Sequence, residues 1–186
     1  PEWLQKHLKS VGLRPISALV DITNYMTMSY GRPLHVYDAD KLNGDIIVRR
    51  SKGGEVLKAL NDKTYTLTAE LCVIADEKNT LGLGGVVGGV ESGCTQATKN
   101  VFLEAAWFEP DAVAKTGRAL QIDSDARYRF ERTVDPQFVI PGAEIATRMI
   151  LDLCGGEASE LEISGKAPEL SKEISFSPED VLKLGG

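Results

Sequence analysis

The sequence predicts an α+β fold, with mixed or antiparallel sheets flanked by helices. Three β-type segments, at 46–50, 55–67 and 71–75, follow one another with no helical pattern between them. The helical patterns lie before these segments and after residue 109. Strands and helices that are mixed without a regular strand–helix–strand alternation are typical of α+β domains rather than of doubly wound parallel sheets.

Two helices are predicted at the start of the chain. Residues 1–9 carry apolar side chains at helical spacing. The second helix is predicted to run from residue 18 to about residue 30. Ser17 can cap its first turn, and Gly31 favours its end.

The middle of the chain is predicted to be β structure. Residues 46–50 are β-rich, and residues 55–60 and 64–67 suggest a hairpin that turns at Asn61-Asp62-Lys63. Residues 71–75 are short and wholly apolar, which is typical of a central strand.

The remaining elements are predicted from periodicity and from helix start and stop signals. They are a strand at 101–108, a helix at 110–120, a polar stretch at 123–136 with one short structured piece, an amphipathic helix at 141–154 that Gly155 stops, short strands at 161–163 and 174–176, and a helix opening at Ser177-Pro178.

Composition restricts the possible functions. The 186 residues are 42% hydrophobic and 26% charged, which suits one large or two small globular domains. A net charge of −6 disfavours a general electrostatic grip on nucleic acid. No apolar run reaches the roughly 18 residues of a membrane span. The opening Pro1-Glu2-Trp3 lacks an initiator Met and a signal-peptide pattern, so we expect a piece of a longer protein.

The cysteines and glycines exclude several kinds of site. The three cysteines are widely spaced, and with two histidines they form no zinc pattern, so no metal site is expected. No nucleophile motif is present. The glycine-rich stretch 82–89 fits neither the dinucleotide-binding nor the phosphate-loop pattern. It is either a tight turn in the core or a wall where backbone approaches a ligand closely.

Glu104 and His35 are the strongest candidates for a site. On a strand, Glu104 shares a face with Phe102 and Phe108, and a carboxylate among aromatic rings needs a partner, a proton or a ligand. An arginine at position 127, 129 or 132 is one possible partner. His35 is either a structural histidine bonded to Asp38 or a backbone carbonyl, or a functional one.

Five motifs occur in an order that identifies a family. They are Val20-Asp21-Ile22-Thr23-Asn24-Tyr25, Arg32-Pro33-Leu34-His35-Val36-Tyr37-Asp38, Gly84-Gly85-Val86-Val87-Gly88-Gly89, Leu103-Glu104-Ala105-Ala106-Trp107-Phe108 and Arg129-Phe130-Glu131-Arg132-Thr133-Val134-Asp135-Pro136. The series closely resembles the central editing module of the bacterial phenylalanyl-tRNA synthetase beta subunit, over about residues 12–169. Three positions depart from the usual pattern: Arg32 replaces a Gln, Gly84 an Ala and Arg127 a Ser.

The resemblance implies a fold of two intertwined subdomains with a cleft between them. It assigns residues 1–171 to the editing module and residues 172–186 to the start of the next module. It also implies hydrolysis of tyrosine wrongly attached to phenylalanine tRNA. The implied catalytic residues are His35, Glu104, Thr23 and Asn24, and the implied substrate-binding residues are Gly85, Gly88, Ala126, Phe102 and Phe108.

The same resemblance implies the partners. They are the 3′ end of phenylalanine tRNA, tyrosine, an alpha subunit and other beta-subunit modules, in the cytoplasm and away from membranes. No cofactor is expected in this fragment, since ATP and Mg²⁺ would serve the full enzyme elsewhere. Two other functions stay open: a scaffold of the same fold that does not catalyse, and a binding module for tRNA or a partner protein.

Overall fold

The computed structural model describes residues 1–169 and 173–185 and confirms the α+β class. Its helices are α1 (Glu2–Ser10), α2 (Ala18–Tyr30), α3 (Pro110–Leu120), α4 (Asp125–Phe130), α5 (Val139–Cys154) and α6 (Pro178–Gly185), with 3-10 turns at Ala39–Lys41 and Pro136–Phe138. Its strands are β1 (Leu34–Asp38), β2 (Ile47–Arg50), β3 (Val56–Lys58), β4 (Thr64–Thr66), β5 (Cys72–Ala75), β6 (Thr80–Leu83), β7 (Val87–Gly88) and β8 (Val101–Ala105).

Three helices form the first of two hydrophobic cores. α1 and α5 pack against α2, and the core between them is centred on Leu4, Leu8, Ile22, Met26 and Ala146. The predicted caps of α2 are confirmed: the Ser17 side chain accepts a hydrogen bond from the Val20 N–H, and Gly31 adopts a left-handed conformation at φ 63°. This core fixes the position from which the chain enters β1.

A four-stranded antiparallel sheet, in the order β2-β5-β6-β7, forms the second core. As predicted, β5 is central and the hairpin of β3 and β4 turns at 61–63, where Asp62 has φ 62°. The sheet meets α3 and α4, whose residues Val113 and Phe130 belong to this core. The Glu109 carboxylate caps α3 and the Ser124 hydroxyl caps α4. The predicted structured piece within 123–136 is therefore a short helix.

An antiparallel ribbon of β1 and β8 joins the two cores. On one face, Leu34 and Leu103 pack against the helical core. On the other face, His35 stands opposite Glu104, and Tyr37 belongs to the sheet core. Side chains alternate between the two faces of a strand, so this register directs the polar residues away from the helices.

Several predictions at the level of elements were wrong. Residues 161–163 and 174–176 form no strand, and their apolar side chains are exposed. The strand at 101–108 ends at Ala105, and the helix predicted from 141 begins at Val139. β1, β6 and β7 were not predicted as strands. The predicted boundary at 171/172 lies outside the described residues. No helix of the described ranges combines the length and hydropathy of a membrane span.

Candidate functional site

A cavity of about 70 Å³ lies between the β1–β8 ribbon, the turn joining β6 to β7, and α4. It brings together most of the residues that were predicted to form the site. Those in its lining are His35, Gly85, Gly88, Glu104, Phe108 and Ala126. The cavity is bounded by apolar and aromatic side chains, with a carboxylate, an imidazole and a phenol as its polar groups.

Glu104 places its carboxylate in this cavity and accepts a hydrogen bond there. The Tyr37 hydroxyl donates to Glu104 Oε2 at 2.6 Å. Oε1 makes no hydrogen bond to another residue in the described part of the chain. Burial raises the pKa of Glu104, and the hydrogen bond from Tyr37 opposes that rise. The carboxylate therefore has one oxygen occupied and one oxygen open to a ligand.

The arginines near α4 pair with other residues. Arg127 Nε bonds Glu131 at 2.9 Å, Arg129 bonds Asp125 at 3.0 Å, and Arg132 bonds Glu131 at 2.7 Å. Each of the three possible arginine partners of Glu104 thus neutralises a local carboxylate instead. Among the described residues that line the cavity around Glu104, none carries a guanidinium.

His35 packs edge-on against the Tyr37 ring, with a centroid distance of 4.4 Å. Its Nε2 is buried without a hydrogen-bond partner among the described residues. Burial lowers its pKa to about 4, so the imidazole is neutral at pH 7. Asp38 was considered as a hydrogen-bond partner of His35. It instead accepts hydrogen bonds from the Asp40 N–H and the Thr98 hydroxyl. A neutral, unpaired imidazole nitrogen can accept a hydrogen bond from water.

Two glycines of the 82–89 stretch make room for this arrangement. A Cβ on Gly88 would lie 2.7 Å from His35 Nε2. Gly85 has φ 70°, and a Cβ there would lie 3.0 Å from Phe108 Cδ2. The glycine stretch forms a tight turn within the core and also a wall of the cavity, and the close approach of a ligand to its backbone stays a prediction.

Three predicted site residues lie outside the cavity lining. The Thr23 hydroxyl, which is buried on α2, donates to the Val20 carbonyl at 2.9 Å. Asn24 is half-buried on the same helix. Phe102 shares the Tyr37 face of the ribbon but is 39% exposed.

The sequence analysis missed nine of the fifteen residues that line the cavity, and two of them are aromatic, Tyr37 and Phe130. Tyr37 lies two positions after His35, so the two share a strand face once β1 is recognised. Phe130 packs edge-on against Phe108 at a centroid distance of 5.2 Å and lines the cavity. Tyr37 contacts Glu104 across 67 residues of sequence, and no local pattern reveals that contact.

The positions that depart from the family pattern have structural explanations. The Arg127 side chain turns away from the cavity to bond the Ile122 carbonyl at 2.6 Å. Arg32 is fully buried and ties the end of β8 to the segment before α5 by donating to the Ala106 and Asp135 carbonyls. At Gly84, a Cβ would lie 2.8 Å from Phe108. Within the described ranges, no cluster of His, Cys, Asp or Glu is arranged to hold a metal ion.

The sequence of this chain matches a domain family model and known relatives. Residues 1–155 match the model of the B3/4 domain. The chain is 58% identical over its full length to the phenylalanine–tRNA ligase beta subunit of Paramagnetospirillum magneticum and 55% identical to that of Cereibacter sphaeroides. It spans 23% of the length of each relative. A solved N-terminal fragment of the Pyrococcus horikoshii phenylalanyl-tRNA synthetase beta subunit is 15% identical, with a TM-score of 0.41 over 61% of this chain and 40% of the other.

Proposed function

The chain belongs to the B3/4 domain family, and we propose that it is the editing module of a phenylalanine–tRNA ligase beta subunit. In this proposal the module hydrolyses tyrosine that has been esterified to phenylalanine tRNA. One observation carries the proposal. A carboxylate with a free oxygen faces an aromatic-lined cavity and already bonds one phenol, that of Tyr37, at 2.6 Å. The same chemistry suits the phenol of a tyrosyl ester.

Glu104 would supply the discrimination between tyrosine and phenylalanine. The tyrosine hydroxyl would donate to Oε1 of Glu104. A bound phenylalanine would instead leave that oxygen dehydrated and unpaired, which costs roughly 1–3 kcal/mol or more for a charged group. Sites that hydrogen-bond a substrate hydroxyl reject the analogue that lacks it by about 10⁴-fold or more. One carboxylate can therefore protect correctly charged tRNA.

His35 would position the hydrolytic water. In this step the water oxygen attacks the ester carbonyl carbon, the bond to the ribose oxygen breaks, and a proton passes to that oxygen. A neutral imidazole with an unpaired Nε2 can hold this water. The N–H groups of Gly85 and Gly88 are the proposed donors to the oxyanion. Thr23 and Asn24 are proposed to contact the terminal ribose, and Phe102 to form the rim.

Ligand binding requires the cavity to widen. Its volume of about 70 Å³ is below the roughly 150 Å³ of an engineered cavity that holds a benzene ring. The walls, including Ala126 on the six-residue helix α4, must move apart for a phenol to enter. The proposed reaction uses water and the chain's own side chains, without a cofactor in this domain.

The proposed partners follow from charge and coverage. The chain carries a net charge of −6, so we propose that tRNA is held mainly by an alpha subunit and by other beta-subunit modules. This domain would receive only the 3′ end. We propose a cytoplasmic location, in keeping with protein synthesis there.

The test compares Glu104→Gln with wild type in the complete ligase, supplied with purified tyrosyl-tRNA. Tyrosine release should fall on the order of 10²-fold or more, because the carboxylate that recognises the phenol is lost. Phenylalanine charging should stay within about twofold, since Glu104 would touch only the editing substrate. Glu70→Gln, at an exposed position, is the matched control and should edit normally.

The alternatives predict other outcomes. Unchanged tyrosine release in Glu104→Gln would remove Glu104 from the mechanism. A wild-type ligase that binds tRNA with a steep salt dependence, yet releases no tyrosine, would indicate a binding module. A wild-type ligase that neither releases tyrosine nor binds tRNA would indicate a scaffold.

A further inference from the structure

Tyr37 is held in one position by contacts on several sides. Its side chain is 1% exposed and packs in the sheet core. Its ring lies edge-on to His35 at 4.4 Å and tilted to Phe102 at 6.0 Å. In the β1–β8 register, Tyr37 stands opposite Phe102 and is a diagonal neighbour of Glu104. Diagonal neighbours across an antiparallel pair lie within reach of an aromatic side chain.

From this geometry we propose that Tyr37 is a positioning residue of the cavity: its hydroxyl fixes Oε2 of Glu104 and thereby presents Oε1 to the phenol of the substrate. This inference rests on the proposed function and deepens it, because it explains how the Glu104 carboxylate recognises the hydroxyl of the tyrosyl group. A carboxylate that is free to rotate could satisfy both oxygens elsewhere. Held by Tyr37, it has one acceptor left, in one direction.

The charges around Glu104 support the same role. The groups that face it are Tyr37 and His35 from β1, and Cys72 from β5. All three are uncharged at neutral pH, because burial raises the pKa of the Cys72 thiol and of the Tyr37 hydroxyl and lowers the pKa of His35 to about 4. The hydrogen bond from Tyr37 is therefore what favours the ionised form of Glu104 against burial.

Removal of the hydroxyl has a defined consequence. In Tyr37→Phe the ring and its contacts remain, but Oε2 loses its donor. A hydrogen bond to a charged group corresponds to roughly a tenfold to hundredfold change. The half-saturating concentration of tyrosyl-tRNA should rise by at least tenfold, with a smaller change in the maximal rate, because the lost interaction acts in recognition of the phenol. The acid limb of the pH profile of tyrosine release should move to higher pH, because Glu104 protonates more readily.

The experiment measures tyrosine release by the complete ligase for wild type, Tyr37→Phe, Glu104→Gln and the double variant, from pH 5.5 to pH 8.5. Tyr65→Phe is the matched control, because its hydroxyl bonds Asn61 on the β3–β4 hairpin, outside the cavity. If Tyr37 acts through Glu104, Tyr37→Phe should have no further effect in the Glu104→Gln background. Urea unfolding of each variant separates a local effect from loss of the fold.

Each outcome decides one question. An unchanged saturation curve and pH profile in Tyr37→Phe would overturn the positioning role. So would an equal loss in both backgrounds, which would mean that Tyr37 acts independently of Glu104. If wild type releases no tyrosine, or Glu104→Gln releases it normally, the proposed editing function fails. Loss in Glu104→Gln together with normal behaviour of Tyr37→Phe would overturn only the role of Tyr37.

Discussion

Replacement of His35 by Gln should flatten the response of the fold to acid. His35 is neutral in the folded chain because burial lowers its pKa from 6.5 to about 4. The unfolded chain therefore binds a proton between these two pH values while the folded chain does not. Stability is lost as pH falls through this window. The loss approaches about 3 kcal/mol below pH 4, from 2.5 pKa units at 1.36 kcal/mol each.

The assay is urea unfolding of the chain at pH 7.5 and at pH 4.5, followed by tryptophan fluorescence. Between these pH values the wild-type chain should lose about 2.5 kcal/mol more unfolding free energy than His35→Gln. The chain offers a matched control in its other histidine, His7, which is exposed on α1. The acid sensitivity of His35→Gln is compared with that of His7→Gln, which removes a histidine outside the cavity.

A direct titration checks the cause. With two histidines in the chain, NMR of the ring protons in wild type and in His7→Gln assigns both signals without ambiguity. The His35 signal of the folded chain should titrate near pH 4. A midpoint near 6.5, or equal acid sensitivity of His35→Gln and wild type, would refute the burial that underlies the proposed water-binding role.

Two further predictions concern the same cavity. Gly88→Ala should displace the His35 ring, because the new Cβ would lie 2.7 Å from Nε2. We expect tyrosine release to fall at least tenfold, approaching the size of a general acid–base contribution. Normal tyrosine release would contradict the contact between Gly88 and His35. Glu104→Gln should stabilise the chain more at pH 7.5 than at pH 4.5. Since its folded pKa is raised, Glu104 contributes stability at low pH that is lost as pH rises through that pKa. Urea unfolding at both pH values measures this, and a stability gain that is larger at pH 4.5 would contradict it.

Much of the fold could be predicted because the signals are local. Ser17 and Gly31 mark the ends of α2 through the capping chemistry of single residues. The hairpin turn at 61–63 is predicted from its turn residues, and β5 is predicted from its short apolar run. Each of these signals lies within a few residues of the structure that it specifies.

The strands that were missed or wrongly predicted lack a clear local signal. β1 carries His35 and Asp38 and pairs with β8, while β6 and β7 contain glycines that lower strand propensity. Conversely, residues 161–163 alternate like a strand but have no neighbouring strand to pair with in the described ranges, so they stay exposed. Strand pairing and burial, rather than propensity, decide such segments.

The candidate site was predicted in composition but not in geometry. Glu104 was recognised because a carboxylate interrupts an apolar run. Its actual partner, Tyr37, was not, because 67 residues separate them. The arginines considered as partners of Glu104 instead form ion pairs with carboxylates that are four residues away or adjacent, on α4 and at its end. Local ion pairs form at lower conformational cost than long-range ones, so these arginines pair with nearby carboxylates and not with Glu104.

The β1–β8 ribbon explains how the fold retains Glu104 and His35, although neither side chain stabilises it throughout the pH range. Burial shifts the pKa values of both Glu104 and His35 against their charged forms, so each weakens the fold in part of the pH range. A shift of one residue in the register would place His35 and Glu104 on opposite faces of the ribbon. Leu34 and Leu103, packed on the opposite face, oppose that shift by anchoring the ribbon to α2 and α5. The apolar face therefore sets the register, and the register holds two unfavourable polar groups together, as expected at the proposed functional site.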